Sequence, residues 1–302
     1  MDTARHFSLL ITTHNRLEEL KFTLNTVEIL LEKGVEIIIC DDGSTDGTAE
    51  FLKKLYPQIK VIRNNKNQGL IFSRNRLMSH VKTQFAITLD DDAHLLTEDP
   101  FEIIQSFFYN HPACAVIAFR IFWGKEGPLN TKTAQKSERV KGFVGCGHVW
   151  RMESWLEIPE YPRWFVFYGE EEFASLQLFK KSWEVHYLPT VLVHHRVEMK
   201  SRKSQKDYSV RLRRSLRAGW YLYFLFYPWQ KIPRKMVYSI WMQIKLKVFK
   251  GDLEVLISLI LGFWDLIYNL PRLLKNRNSL SNSKYQEYLR LNETKIYWDG
   301  KK

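Results

Sequence analysis

Short apolar runs alternate with stretches of helical periodicity through the first third of the chain. Residues 7–12 form an apolar run, a helical pattern covers 17–31 and stops at Gly34, and 35–40 is a second apolar run. A helix follows over 48–55, a short strand over 61–63, a helix over 71–81 and a strand over 85–89. Strands that alternate with helices predict an α/β fold with a mostly parallel sheet covered on both faces. The runs at 35–40 and 85–89 both end in acids, and sheets of this kind bind ligands outside the carboxyl ends of their strands.

Beyond this half the rhythm changes. Residues 113–122 read as a strand, but 124–139 are polar and without period, which predicts a mobile loop. Residues 143–150 follow, with Gly142, Gly145 and Gly147 in or beside them. A helix is expected near 170–181 and a strand over 185–193, ending in His194-His195. There is no internal repeat. The pattern divides the chain at residue 200, with an α/β domain over 1–200 and a mainly helical region over 201–302.

Charge sharpens that division. The chain has 302 residues and a formal charge of +12, and residues 200–250 hold fourteen Lys or Arg against one acid, Asp207. The rest is close to neutral, so an anionic partner is expected at the C-terminal region alone. Trp220 opens an aromatic run (WYLYFLFYPW), after which Ile240, Trp241, Ile244 and Val248 recur at helical spacing beside Lys245 and Lys247. Basic and aromatic residues on an amphipathic helix suit an anionic membrane surface. Packing on the N-terminal domain, or on a second chain in a homo-oligomer, is the other way to cover these apolar positions. Residues 253–270 are apolar, but Glu254, Gly262 and Asp265 interrupt them, and they read as too short and too charged to span a bilayer. Cys40, Cys114 and Cys146 are odd in number and lack metal-ligand spacing, which argues against a disulfide frame or a zinc site. Residues 1–6 are polar and 7–12 are too short for a secretory signal. The expected location is cytoplasmic, peripheral on the inner face of the cell membrane.

Three acid clusters carry candidate chemistry. Asp41-Asp42-Gly43-Ser44 sits at a strand end and leads into a helix, where a carboxylate can accept from a nucleobase or ribose, or simply shape a turn and cap. Asp90-Asp91-Asp92 repel one another and lose hydration behind a buried strand, so a cation is expected among them. Carboxylate oxygens suit Mg2+ or Mn2+, which complete their shells with phosphate and water. Glu170-Glu171-Glu172 opens a helix after an aromatic loop. Helix dipoles favour acids there, but three exceed what capping needs, and one can serve as a general base.

The order of motifs is more specific than any one of them. Ile11-Thr12-Thr13-His14-Asn15-Arg16, then CDDGSTDGT from Cys40, Asn67-Gln68-Gly69 with Ser73-Arg74-Asn75, LDDDAHL from Leu89, GEEEF from Gly169 and LPTVLVHHR from Leu188 follow in succession. Over roughly residues 7–200 this resembles the inverting GT-A glycosyltransferases of family 2, in particular bacterial enzymes that add rhamnose, galactose or glucose to surface polysaccharides. The resemblance implies a GT-A nucleotide-sugar-binding fold, a mixed and mostly parallel sheet flanked by helices, with a C-terminal helical extension. It implies that Thr12, His14, Arg16 and Asp42 or Asp41 hold the nucleoside, with Arg74 approaching the nucleotide. The family often has Tyr at the position of His14, which leaves the base open. Asp90 and Asp92 match the ends of an Asp-x-Asp motif, Asp92 for the metal and Asp90 for metal or ribose. Asp91 belongs with the nucleotide-sugar residues and is the least engaged of the three. Glu171 stands where the family usually has Asp after Glu, and is the implied base, with Glu170 as the alternative. His195 matches a C-terminal His that approaches metal or diphosphate in some relatives, and His194 beside it leaves the register open.

On that resemblance the chain transfers a hexose, with inversion, from a nucleoside-diphosphate sugar to a saccharide or lipid-linked saccharide, using Mn2+ or Mg2+. Two other classes compete. A sugar nucleotidyltransferase shares the sheet and acids but needs a Gly-rich basic loop after the first strand, and Thr13-His14-Asn15-Arg16 is not one. A nucleic-acid-binding protein would explain the charge and aromatics but leaves the acid clusters without a purpose, so nucleic acid is not an expected partner.

Overall fold

A computed structural model of the chain describes residues 3–197 and 207–296. The basic stretch 200–206 lies outside them. In the first half the chain runs β1 (Phe7–Thr13), α1 (Leu17–Glu32), β2 (Glu36–Asp41), α2 (Thr48–Leu55), β3 (Lys60–Arg63), α3 (Leu70–Met78) and β4 (Phe85–Asp90). It continues with β5 (Ala93–Leu95), α4 (Phe101–Asn110), β6 (Cys114–Trp123), β7 (Glu138–Val140), β8 (Gly147–Arg151), α5 (Met152–Leu156), α6 (Glu170–Lys180) and β9 (Glu184–His195). Four helices close it: α7 (Tyr208–Phe226), α8 (Ile232–Leu246), α9 (Glu254–Lys275) and α10 (Asn282–Arg290).

The strands form one mixed sheet in the order β3-β2-β1-β4-β8-β6-β9-β5, with β7 paired to β9. The βαβ crossovers make β1 to β4 parallel, as the alternation of patterns predicts. Beyond β4 the sheet alternates: β8 runs antiparallel to both β4 and β6, while β6 and β9 are parallel. Successive side chains of a strand point to opposite faces. Accordingly Leu9 and Ile11 join the cluster under α1 and α4, and Leu10 joins the cluster under α3 and α6. Every residue of β1 is buried, as a central strand covered on both faces requires.

Residues 124–137 have no helix or strand and are largely exposed, as expected of a loop, but the segment is tied down where Arg120 donates to the Thr131 carbonyl (2.8 Å), Tyr187 donates to Gln135 (2.8 Å), and Glu138–Val140 pairs with β9. Of the coverings open to the aromatic run from Trp220, packing on the N-terminal domain is the one seen for most of it. Trp220, Tyr221, Leu225 and Phe226 are buried in the same cluster as α3 and α6, with Tyr221 5.2 Å from Trp164 and Phe226 5.4 Å from Phe173, ring to ring. Helical spacing in α7 collects these residues on one face, and the domain supplies the surface that covers them. They are therefore not available to stack on bases.

The apolar stretch near 253–270 is also longer as a helix than its sequence indicates. α9 runs for 22 residues and is long and apolar enough to cross a membrane by length and composition. Two of its three interruptions face inward: Gly262 packs on Trp220, and Asp265 pairs with Arg213 and with Arg217 at 3.6 Å, whereas Glu254 is exposed. Val255, Leu259, Leu266 and Leu273 are buried, whereas Ile257, Ile260, Trp264 and Ile267 are exposed.

Candidate functional site

Parallel register brings the acid clusters to one edge. Thr12 pairs with Cys40 on one side and Asp90 on the other, so β1, β2 and β4 end level and their following loops line a cleft of about 830 Å³. Thr12, His14, Arg16, Asp42, all three of Asp90 to Asp92, and His195 line it. That volume is within the range that holds small ligands.

The first cluster divides its work. Asp41 is fully buried, accepts from the Ser44 backbone N–H (2.8 Å), faces Arg63 (3.5 Å), and does not line the cleft. Asp42 does, and accepts from Asn64 Nδ2 (2.6 Å) and the backbone N–H groups of Gln68 and Gly69 (2.8 Å each). It thus pins the loop after β3 against the cleft. Its carboxylate oxygens keep lone pairs for a ligand, since each can accept more than one hydrogen bond. Gly43 has φ +75° and a backbone pressed on Lys66, so no larger residue fits where these loops cross.

The charge anomaly at Asp90 to Asp92 is met first by the protein itself. Arg16 contacts Asp91 (3.2 Å) and Asp92 (2.7 Å), and Arg74 contacts Asp90 (3.0 Å). Asp91 also accepts from Thr13 Oγ1 (2.9 Å), yet burial pushes its carboxyl up to about 7. Burial pushes Asp92 the same way, but hydrogen bonding and charge from His195, with Arg16 behind, prevail and hold it well below the usual carboxylate range. The β5–β9 ladder explains the meeting: Ala93 pairs with His195, and the Arg196 N–H donates to the Asp92 carbonyl (2.9 Å). His195 Nε2 stands 3.1 Å from Asp92 Oδ1, whereas His194 turns to the Gly124 carbonyl (2.8 Å). Of the two histidines, His195 is the one set beside Asp92.

Arg74, which the resemblance has approaching the nucleotide, is 5 % exposed and does not line the cleft; besides Asp90 it contacts Glu170 (2.8 Å) and Glu171 (3.2 Å). It joins the Asp90 end of the cleft to the start of α6 from below. Neither glutamate lines the cleft directly. Glu170 is 2 % exposed, and burial, with Glu171 beside it, raises its pKa against the pull of Arg74. Glu171 is 24 % exposed and can reach an incoming group. The backbone of Gly145 lies so close to Arg74 and Glu171 that a Cβ there would collide with both.

Some members of the site carry no sequence signal. Asp207, Arg211 and Arg214 at the start of α7 also line the cleft, with Val166 and Phe167. Val166 has φ +69°, as has Tyr168, and a β-branched residue in that region is held there at a cost of about 1–3 kcal/mol. Cys146 was set aside for lack of ligand spacing, yet its Sγ lies within 4.8 Å of an Asp90 oxygen and a His195 nitrogen, and those two lie as close to each other.

Oxygen, nitrogen and sulfur donors within 4.8 Å of one another, from Asp90, His195 and Cys146, are a set that a divalent cation would draw together, and Asp92 stands hydrogen-bonded to His195 beside them.

Known proteins resemble this chain in sequence and in fold. Residues 8–172 match the family model "Glycosyl transferase family 2". Over 91 residues, 30% of the chain, it is 32% identical to the UDP-Glc:alpha-D-GlcNAc-diphosphoundecaprenol beta-1,3-glucosyltransferase WfaP of Escherichia coli. Over 111 residues, 36% of the chain, it is 31% identical to the poly-beta-1,6-N-acetyl-D-glucosamine synthase of Staphylococcus epidermidis. The chain spans 36% and 27% of the lengths of these two curated relatives. Among solved structures, GalNAc-T7 with UDP, GalNAc and Mn2+ superposes with a TM-score of 0.61 at 16% identity, over 88% of this chain and 57% of that one, a likeness of fold.

Proposed function

The chain belongs to glycosyl transferase family 2, and from that premise we propose that it moves a hexose, with inversion, from a nucleoside-diphosphate sugar to a hydroxyl of a lipid-linked saccharide at the cytoplasmic face of a membrane. The observation that carries the reading is the single cleft in which Asp42, the Asp90–Asp92 run and His195 meet, with Glu171 joined to Asp90 through Arg74. Thr12, His14 and Asp42 take the nucleoside end. A Mn2+ or Mg2+ ion held by Asp90, Asp92 and His195 would offset the charge that develops on the departing diphosphate. Arg16, half-exposed beside Asp92, adds a positive charge at the same end. Glu171 removes the acceptor hydroxyl proton as that oxygen attacks the anomeric carbon from the face opposite the leaving group. Glu170 is too buried for that task. It holds Arg74, and through it Asp90, in place.

The lipid-linked acceptor rests on two supports. WfaP, by its name, acts on a diphosphoundecaprenol acceptor. The second support is the outer face of the C-terminal helices, where α8 exposes Val237 and Trp241 and α9 exposes Ile257, Ile260, Trp264 and Ile267. Lys245 and Lys250 border this surface at the turn between the helices, and Arg272 and Lys275 at the end of α9. Exposed apolar side chains rimmed by cations suit an anionic bilayer, with the helices lying in the interface while α9 keeps its inner face on α7. The acceptor is then delivered along the surface that holds the enzyme.

The test is a screen of nucleotide sugars with Mn2+ for thermal stabilisation, followed by transfer of label from the best donor into the lipid extract of bacterial membranes. Label in the lipid phase supports the reading, and loss of transfer in Asp92→Ala ties it to this cleft. A donor that stabilises the protein but labels only a water-soluble saccharide overturns the lipid-linked acceptor. No stabilisation by any donor overturns the whole.

A further inference from the structure

The thiol of Cys146 is not accounted for by the acid motifs. The β4–β8 ladder pairs Thr88 with His148 and Leu89 with Gly147, so one step further along the antiparallel register Cys146 lies opposite Asp90. The glycines on either side restrict this turn. A Cβ at Gly145 would strike Arg74 and Glu171, and one at Gly147 would press on Ile121 and Val193 at 3.2 Å. Cys146 is therefore the side chain that this crowded turn delivers, and it arrives beside Asp90 and His195 with 2 % exposure. The outcome is an oxygen, a nitrogen and a sulfur donor converging from three strand ends.

We propose that Cys146 is a ligand of the divalent cation at this site, together with Asp90 and His195. The proposal rests on the reading of the cleft as a metal-assisted donor site and adds the identity of one ligand and its consequence. Magnesium is a hard ion that takes oxygen donors and keeps its waters, whereas thiolate and imidazole favour borderline transition ions. A site that includes Cys146 therefore binds Co2+ and Zn2+ tightly, prefers Mn2+ to Mg2+, and releases the thiol proton to solvent when the ion enters. The competing role for this buried cysteine is that of a packed thiol hydrogen-bonded to His195.

Cobalt is the probe. The full chain is titrated with Co2+ under anaerobic conditions and its absorption recorded, alongside Cys146→Ser, Cys146→Ala and the controls Cys40→Ala and Cys114→Ala. The expected result is a near-ultraviolet thiolate-to-cobalt band that persists in both controls and disappears in both Cys146 variants. Co2+ affinity should fall at least tenfold in those variants while Mg2+ affinity changes less than threefold. In the unaltered chain, X-ray absorption at the cobalt edge should also show a sulfur neighbour of the bound ion, a measurement that needs no variant to fold. Co2+ binding without that band, or a band that survives Cys146→Ser, overturns the assignment and leaves the metal-assisted reading standing. Failure of the unaltered chain to bind Co2+ overturns both.

Discussion

Removing Arg74 tests the electrostatics of the site most severely. Its guanidinium is shared by Asp90, Glu170 and Glu171 at 2.8–3.2 Å, so Arg74→Met leaves three carboxylates facing one another. They do not suffer equally. Asp90 is 27 % exposed and Glu171 24 %, and both can turn toward water, whereas Glu170 at 2 % cannot. The cost is therefore that of one uncompensated buried charge, about 3–5 kcal/mol, rather than of three. For a chain of this size that lowers Tm by about 5–8 °C. Glu170 can escape by taking a proton, and its pKa is already raised by burial and by Glu171. A carboxyl raised in the folded state contributes its stability at low pH and loses it as pH rises. The loss in Arg74→Met should accordingly be larger at pH 8 than at pH 5, and Arg74→Met/Glu170→Gln should recover a substantial part of it at pH 8. Thermal unfolding followed by circular dichroism measures all of this. An Arg74→Met protein that melts within about 2 °C of the parent at pH 8, or a double variant no more stable than the single one, would refute the assignment of Arg74 as the counter-charge of a buried glutamate.

Two further predictions concern single carboxylates. Glu171→Gln should lower turnover by about 10²–10⁴-fold, the usual worth of a positioned general base, and leave donor-induced stabilisation unchanged; undiminished turnover would move the base elsewhere. Asp91, pushed up to about 7 by burial, should make the parent lose stability relative to Asp91→Asn as pH rises from 4 to 8. That measurement is made in the presence of a chelator, and a gap independent of pH would show that Asp91 is ionised throughout.

The parallel half of the sheet was legible because each strand is a short apolar run and each crossover a helical period, and both signals are local. Asp42, Asp90, Asp92 and His195 were legible for the same reason, since each stands at the end of such a run. What escaped was decided by pairing across the sheet. Cys146 reaches Asp90 through the β4–β8 register, and no spacing along the chain encodes that. Arg74 was placed near the nucleotide by resemblance alone, and its pairing with Glu170 beyond the cleft lining depends on how α3 packs against α6, which no local pattern encodes. The aromatic run of α7 was ambiguous for a physical reason: an apolar helix face has the same pattern whether lipid or protein covers it. In the structure the protein itself covers the inner face of α7, while the outer faces of α8 and α9 are exposed.

The central claim is that this cleft transfers a sugar with inversion, and the anomer formed first tests it most directly. The protein is incubated with α-linked UDP-glucose, UDP-GlcNAc or GDP-mannose and Mn2+, without acceptor, and the sugar released by slow hydrolysis is followed by proton NMR. The account predicts that one donor yields its nucleoside diphosphate and the β anomer first, and that Asp92→Ala yields neither. Initial release of the α anomer, or release that persists in Asp92→Ala, would contradict it.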